Sequence, residues 1–205
     1  MSDSGRNVGD VQNLFRFHRG DGSEKTRKFY NTWAESYEED VKLLKYQGPE
    51  HLVDFLKDNF SGDPKELQVL DVACGSGLVA KLMSGLGFRV FVGVDCSEGM
   101  LEQAAQTGLY RDLKLALLGP EPLPAQTGGF ICVAKGNHCG AAEEEYQRSL
   151  EREVQLMEEE GLWSRVSFRQ VDRYMLDPWE DEETYISGSF YFYKKSSSPQ
   201  IKPLN

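Results

Sequence analysis

The run Val69-Leu70-Asp71-Val72-Ala73-Cys74-Gly75-Ser76-Gly77 constrains this chain more than any other segment, because an apolar strand ends in an acid and two closely spaced glycines. Glycine lets the backbone turn tightly and come close to a ligand where a side chain would collide. Beyond Gly77 the stretch from Leu78 to Met83 has helical spacing, so the glycines sit where a strand hands over to a helix. Gly75-x-Gly77-x-x-Ala80 also fits a dinucleotide-binding turn, in which a helix N-terminus attracts a pyrophosphate. On the glycines alone, a nicotinamide oxidoreductase is one reading.

Asp71 shifts the choice. A carboxylate at the strand end repels a pyrophosphate but suits a ligand with positive charge, and S-adenosylmethionine carries a sulfonium and an ammonium. A second strand, Arg89 to Val94, ends in Asp95, 24 residues after Asp71. An acid at that remove can hold both hydroxyls of a ribose. Two acids at two strand ends therefore fit an adenosyl ligand.

Leu70-Asp71-Val72-Ala73-Cys74-Gly75-Ser76-Gly77 resembles motif I of the class I S-adenosylmethionine-dependent methyltransferases, and Gly93-Val94-Asp95-Cys96-Ser97 resembles their second motif. Lys28-Phe29-Tyr30-Asn31-x-Trp33-Ala34-x-x-Tyr37 and Met100-Leu101-Glu102-Gln103-Ala104 extend the likeness, which covers roughly residues 25 to 195 with one interruption. The resemblance implies that Asp71, Cys74, Gly75, Ser76 and Gly77 border the methionine part of the cofactor and that Asp95 holds the ribose. It also brings Cys96 and Met100 to the cofactor, and places Trp33 and Tyr37 on a helix that covers it. The implied cofactor is S-adenosyl-L-methionine and the implied reaction is in-line methyl transfer to a small molecule or a protein. No general base is assigned; His138 lies in a loop that could face a substrate. Cys74 and Cys96 sit in tight turns with no basic neighbour in sequence to lower their pKa, which favours packing over reactivity.

With 205 residues one domain is expected, and a net charge of -10 provides no basic field for a nucleic-acid backbone. Four cysteines without a C-x-x-C pair and three histidines make no zinc pattern. There is no apolar leader and no long apolar run. The expectation is a protein of the cytosol, or also the nucleus, with no membrane and no metal.

Residues 1 to 24 are rich in Ser, Gly, Asp, Asn and Arg and read as a flexible arm. From Thr26, the residues Tyr30, Trp33, Tyr37, Val41 and Leu44 recur at spacings of three and four, which predicts one amphipathic helix. Pro49 opens a second. Strands at 67–72, 88–94 and 113–118 alternate with helices at 76–86 and 98–106. That alternation predicts an α/β fold, with a mostly parallel sheet covered by helices on both faces. A long helix from Ala141 to Glu160 and an antiparallel closing pair of strands follow, and residues 196 to 205 read as a disordered tail.

Between the third strand and the helix at 141 the family pattern requires two strands and a helix, but only residues 119 to 140 are present. One strand, around Phe130-Ile131-Cys132-Val133-Ala134, fits there. The chain therefore reads as a shortened methyltransferase lacking its fourth strand and the helix after it, of the kind exon skipping would produce. Without that wall, the apolar side chains of the strands at 67–72 and 130–134 are expected to lie partly open to water. A cofactor-binding or interaction protein without transferase activity is the alternative.

Overall fold

The structure is a computed structural model that describes residues 5–17, 22–117, 129–138, 141–180 and 183–196. Seven helices and six strands occur among them: α1 Val8–Phe17, α2 Ser23–Trp33, α3 Tyr37–Leu43, α4 Gly48–Asn59, β1 Gln68–Val72, α5 Leu78–Gly85, β2 Val90–Asp95, α6 Glu98–Gln106, β3 Tyr110–Leu115, β4 Phe130–Asn137, α7 Ala141–Glu159, β5 Trp163–Leu176 and β6 Tyr185–Lys195.

The α/β alternation from β1 to β3 forms as the sequence predicts. β1, β2 and β3 pair in parallel in that order, with Asp71 level with Gly93 and Gly93 level with Leu113. One boundary differs by three residues: β3 starts at Tyr110 rather than 113, which matters for the site. The C-terminal half is antiparallel, in the order β4, β6, β5.

These strands form two three-stranded sheets, and β1 and β4 share no hydrogen-bonded ladder. In a parallel sheet covered on both faces the central strands are the most buried. Here every residue of β1 and of β4 is half-buried or exposed, and Phe130 is 46% exposed. The division falls where the strand and helix missing from the sequence pattern would stand, and it leaves the apolar side chains partly open as expected.

Helix α4 bridges the two halves. Pro49 stands in its first turn, where a proline costs no hydrogen bond. Its Phe55 packs with Phe190 and Phe192 of β6 in one core, while its Val53 joins Ala80, Met83, Phe88 and Phe91 in the other.

The N-terminal arm needs correction. Within residues 1 to 24, Val8 to Phe17 is helical and Val11 is fully buried. Val8, Val11, Leu14 and Phe15 follow the spacing of one helix face and pack into the larger core, while Gln12 and Arg16 donate to the backbone carbonyls of Asp177, Glu180 and Trp179. Residues 1–4 and 18–21, and the tail beyond Ser196, lie outside the described residues.

The single helix expected from Thr26 to Leu44 is two. α2 ends at Trp33 and α3 starts at Tyr37. Asp40 fixes the corner, because its Oδ2 accepts from the Trp33 indole N–H at 2.7 Å and the Ser36 hydroxyl at 2.9 Å, with Arg6 paired to it as well. A buried carboxylate needs such donors, and they hold the chain in a turn that periodicity alone does not reveal.

Candidate cofactor site

The turn after β1 is built from left-handed backbone. Ala73, Gly75 and Gly77 have φ of +56°, +53° and +89°, a region in which a residue with a Cβ is strained. Cys74 N donates to Val94 O at 3.1 Å and Gly77 N to Cys74 O at 2.9 Å, which closes the turn against the end of β2. Glycine at 93 permits this approach: a Cβ there would lie 2.6 Å from Leu113 Cδ2 and 3.0 Å from Cys74 Sγ.

Asp95 faces the same turn. Its Oδ2 accepts from Gly75 N at 2.9 Å and its Oδ1 from Ser97 N at 2.8 Å. Ser97 caps α6 through Met100 N, so Cys96, Ser97 and Met100 follow Asp95 in one continuous element, with Met100 buried and Cys96 half-buried.

Asp71, at the end of β1, accepts from the Tyr110 hydroxyl at 2.7 Å. Burial pushes the Asp71 carboxyl up to about 6, the Tyr110 hydrogen bond opposes that rise, and the nearby Asp95 adds to it. Burial, with both acids close by, pushes the Cys74 thiol up to about 12. Burial and Asp95 likewise raise Cys96. Neutral thiols are poor nucleophiles, in keeping with a packing role.

Sequence reasoning missed Tyr110. Its ring sits 3.1 Å from where a Cβ on Gly77 would stand and 2.9 Å from one on Gly93, so it closes the side of the glycine turn while holding Asp71. Its only sequence signal is an aromatic residue before the expected third strand.

The structure brings Asp71, Cys74, Gly75, Ser76, Gly77 and Asp95 around one bend, with Cys96 and Met100 following Asp95 along the chain into α6. Ser76 is buried, beside Glu38 of α3. Burial of Glu38 is outweighed by Lys81 and the Ser76 hydroxyl, so its carboxyl lies below the usual range. The Glu38 pair with Lys81 Nζ at 2.6 Å ties α3 to α5 across the turn.

Trp33 and Tyr37 are placed differently. Trp33 is 3% exposed in the aromatic core, with ring centroids of Phe15, Phe29 and Tyr37 at 5.1, 5.2 and 4.8 Å. Tyr37 packs on it, and its phenol is raised by burial and by the nearby Tyr30, Tyr174, Glu38 and Asp95. Tyr30 is also raised, by burial and then by Asp95. Asp95 is thus among the charges that act on the phenols of α2 and α3.

His138, at the end of β4, packs edge-on against Trp179 at 5.0 Å. His51 meets the Arg173 carbonyl at 3.2 Å. His18 and Cys139 lie outside the described residues. Among the described residues no three His, Cys, Asp or Glu side chains gather as a metal site, and no helix is long and apolar enough to cross a membrane.

The donor set fits an adenosyl sulfonium. An ionised carboxylate has about four acceptor positions, and Asp95 uses two on backbone N–H groups, which leaves capacity for a diol. A Cβ added at Gly75 would meet nothing within 4 Å, so the turn offers open space directly above its backbone. Asp71 contributes the negative charge beside it.

Comparison with known proteins identifies the family. Residues 69–161 match a family described as a methyltransferase domain. The chain is 34% identical to human methyltransferase-like protein 27 over 175 aligned positions, which take in 71% of each chain. Since 71% of this chain is fewer residues than there are aligned positions, the alignment carries gaps on this side. Among solved structures, the DhpI-SAM-HEP complex superposes with a TM-score of 0.53 at 13% identity, covering 82% of this chain and 96% of that one. Magnesium protoporphyrin IX methyltransferase from Synechocystis with bound SAH gives 0.48 at 15% identity, over 90% and 94%. The chain belongs to the class I S-adenosylmethionine-dependent methyltransferases, with S-adenosyl-L-methionine as its cofactor and methyl transfer as its reaction.

Proposed function

We propose that the bend between β1 and α5 holds the methionine end of S-adenosyl-L-methionine and that Asp95 accepts from its ribose hydroxyls, for methyl transfer to a small molecule or a protein. The observation that carries this reading is the convergence of Gly75 N and Ser97 N on Asp95, beside the open space above Gly75. In it, Cys74, Ser76 and Gly77 shape the bend, Asp71 faces the ammonium, and Cys96 and Met100 continue the site toward the base.

When bound, the cofactor supplies an electrophilic methyl group on a sulfonium, so the chain has mainly to align and to exclude water. Tyr30 and Tyr37 close the site from α2 and α3, with Trp33 as the core support on which Tyr37 rests. The buried thiols and phenols stay protonated and supply no strong base. The acceptor therefore brings its own nucleophile, neutral or already deprotonated. The catalytic unit is one domain that takes in α1 as well as residues 25 to 195. The free thiols of Cys74, Cys96 and Cys132 suit a reducing cytosolic or nuclear setting, and the acidic chain suits an acceptor other than nucleic acid.

Calorimetric titration of the purified protein with S-adenosylhomocysteine tests this. Saturable binding that Asp95→Ala abolishes while the circular dichroism spectrum stays folded is the expected result. Unchanged affinity in that variant overturns the ribose assignment, and no binding to the wild type overturns the whole reading.

A further inference from the structure

Asn31 of α2 reaches from the covering helices to the turn carrying Asp95. Its Oδ1 accepts from Ser97 Oγ at 2.6 Å and from Gly99 N at 3.2 Å. The two helices meet closely there, for a Cβ on Gly99 would lie 2.8 Å from Asn31 O and 3.0 Å from Ala34 Cβ. Ser97 then accepts from Met100 N and gives its own backbone N–H to Asp95 Oδ1. Asp95 Oδ2 in turn holds Gly75 N. One unbroken relay thus runs from α2 through Asn31, Ser97 and Asp95 to the glycine bend.

We infer that Asn31 is a positioning residue for cofactor binding: it sets the orientation of Asp95 through Ser97, and so couples docking of α2 to the grip on the ribose. The inference rests on the assignment of Asp95 above. Both donors to Asn31 are satisfied by an acceptor oxygen alone, and the amide nitrogen takes no part in the relay. Asp at 31 therefore preserves it. The added charge lies at the N-terminus of α6, where the helix dipole favours an anion, while Ala at 31 breaks the relay.

Titration with S-adenosylhomocysteine tests this in four proteins besides the wild type. Asn31→Ala is expected to weaken binding about tenfold, the cost of one or two hydrogen bonds, with Asn31→Asp within about twofold of wild type. Asp95→Asn weakens binding by itself, and the double variant Asn31→Ala with Asp95→Asn is expected to bind no more weakly than Asp95→Asn alone. A purely structural role for Asn31 would instead give additive losses and no rescue by Asp, and either result overturns the inference. If Asn31→Ala fails to fold, Ser97→Gly, which removes the other end of the bond while keeping an acceptable helix cap, takes its place with the same expectation. A wild type that binds while Asp95→Asn loses nothing would refute the Asp95 assignment rather than the relay.

Discussion

The Tyr110 hydroxyl donates to Asp71 Oδ2 at 2.7 Å, joining the first residue of β3 to the end of β1 across the intervening strand. This bond holds down a carboxyl that burial pushes up to about 6. The ligand's ammonium group needs Asp71 ionised, so affinity for S-adenosylhomocysteine should fall as pH drops below about 6, approaching tenfold per pH unit well under the midpoint. Tyr110→Phe removes the bond that lowers the Asp71 pKa, and its midpoint should move to higher pH. Titrations between pH 5 and 8 check both, and a flat profile in the wild type would remove Asp71 from the site.

Asp71 bears on stability with the opposite sign. Its folded pKa is raised from 3.8 to about 6, so between those values the folded state binds more protons than the unfolded one. Stability from this group is present in acid and is lost as pH rises through that window. Asn at 71 keeps an acceptor for Tyr110 and carries no charge. Asp71→Asn should therefore stabilise the ligand-free protein at pH 7 by roughly 1 to 3 kcal/mol, while weakening cofactor binding. Thermal unfolding with and without S-adenosylhomocysteine separates the two effects.

Gly75 and Gly77 should respond differently to alanine. Both have left-handed backbone, which costs a non-glycine residue roughly 1 kcal/mol. At 75 a methyl group meets nothing in the protein and stands in the space assigned to the ligand. At 77 it meets Tyr110 Cε2 at 3.1 Å. Gly75→Ala is expected to lower Tm only slightly and to lose cofactor affinity, whereas Gly77→Ala should lower Tm further. The pair of variants, compared by calorimetry and thermal melts, distinguishes a cradle from a packing glycine.

What the sequence disclosed was local. Glycines at a strand end, apolar periodicity and the Ser97 cap sufficed to locate β1, α5, β2 and α6, and with them Asp71, Gly75 and Asp95. Tyr110 escaped because its partner lies 39 residues away and depends on the β2–β3 register, which shifts between Phe91 and Val92. The break between α2 and α3 escaped because it is set by the hydrogen bonds converging on Asp40 rather than by a helix-breaking residue. α1 was hidden by Asp10, Gln12 and Asn13, which make its segment polar on average although one face is apolar.

That hidden helix yields a direct test. Val11 is fully buried, and deleting its methyl groups leaves a cavity in the larger core. Val11→Ala should cost about 1 to 3 kcal/mol, seen as a lower midpoint in urea unfolding. A flexible arm would give no change. Gln12→Ala, which removes the contacts to the carbonyls of Asp177 and Glu180, should cost less.

The divided sheet leads to the last expectation. Among the described residues β1 and β4 each pair on one side only, and an unpaired edge with apolar neighbours invites association. Phe130 of β4 is 46% exposed, and Val166 and Phe168 of β5, at the outer edge of the same sheet, are 49% and 48% exposed. The native protein should bind a hydrophobic dye such as anilinonaphthalene sulfonate and should sediment with a concentration-dependent mass. Val166→Lys with Phe168→Lys should reduce the dye signal while changing stability by only about 0.5 kcal/mol per site, because both side chains are half in solvent already. A monomer with one sharp thermal transition and no dye binding would mean that the open strands are covered in solution, and that the shortened core is sound.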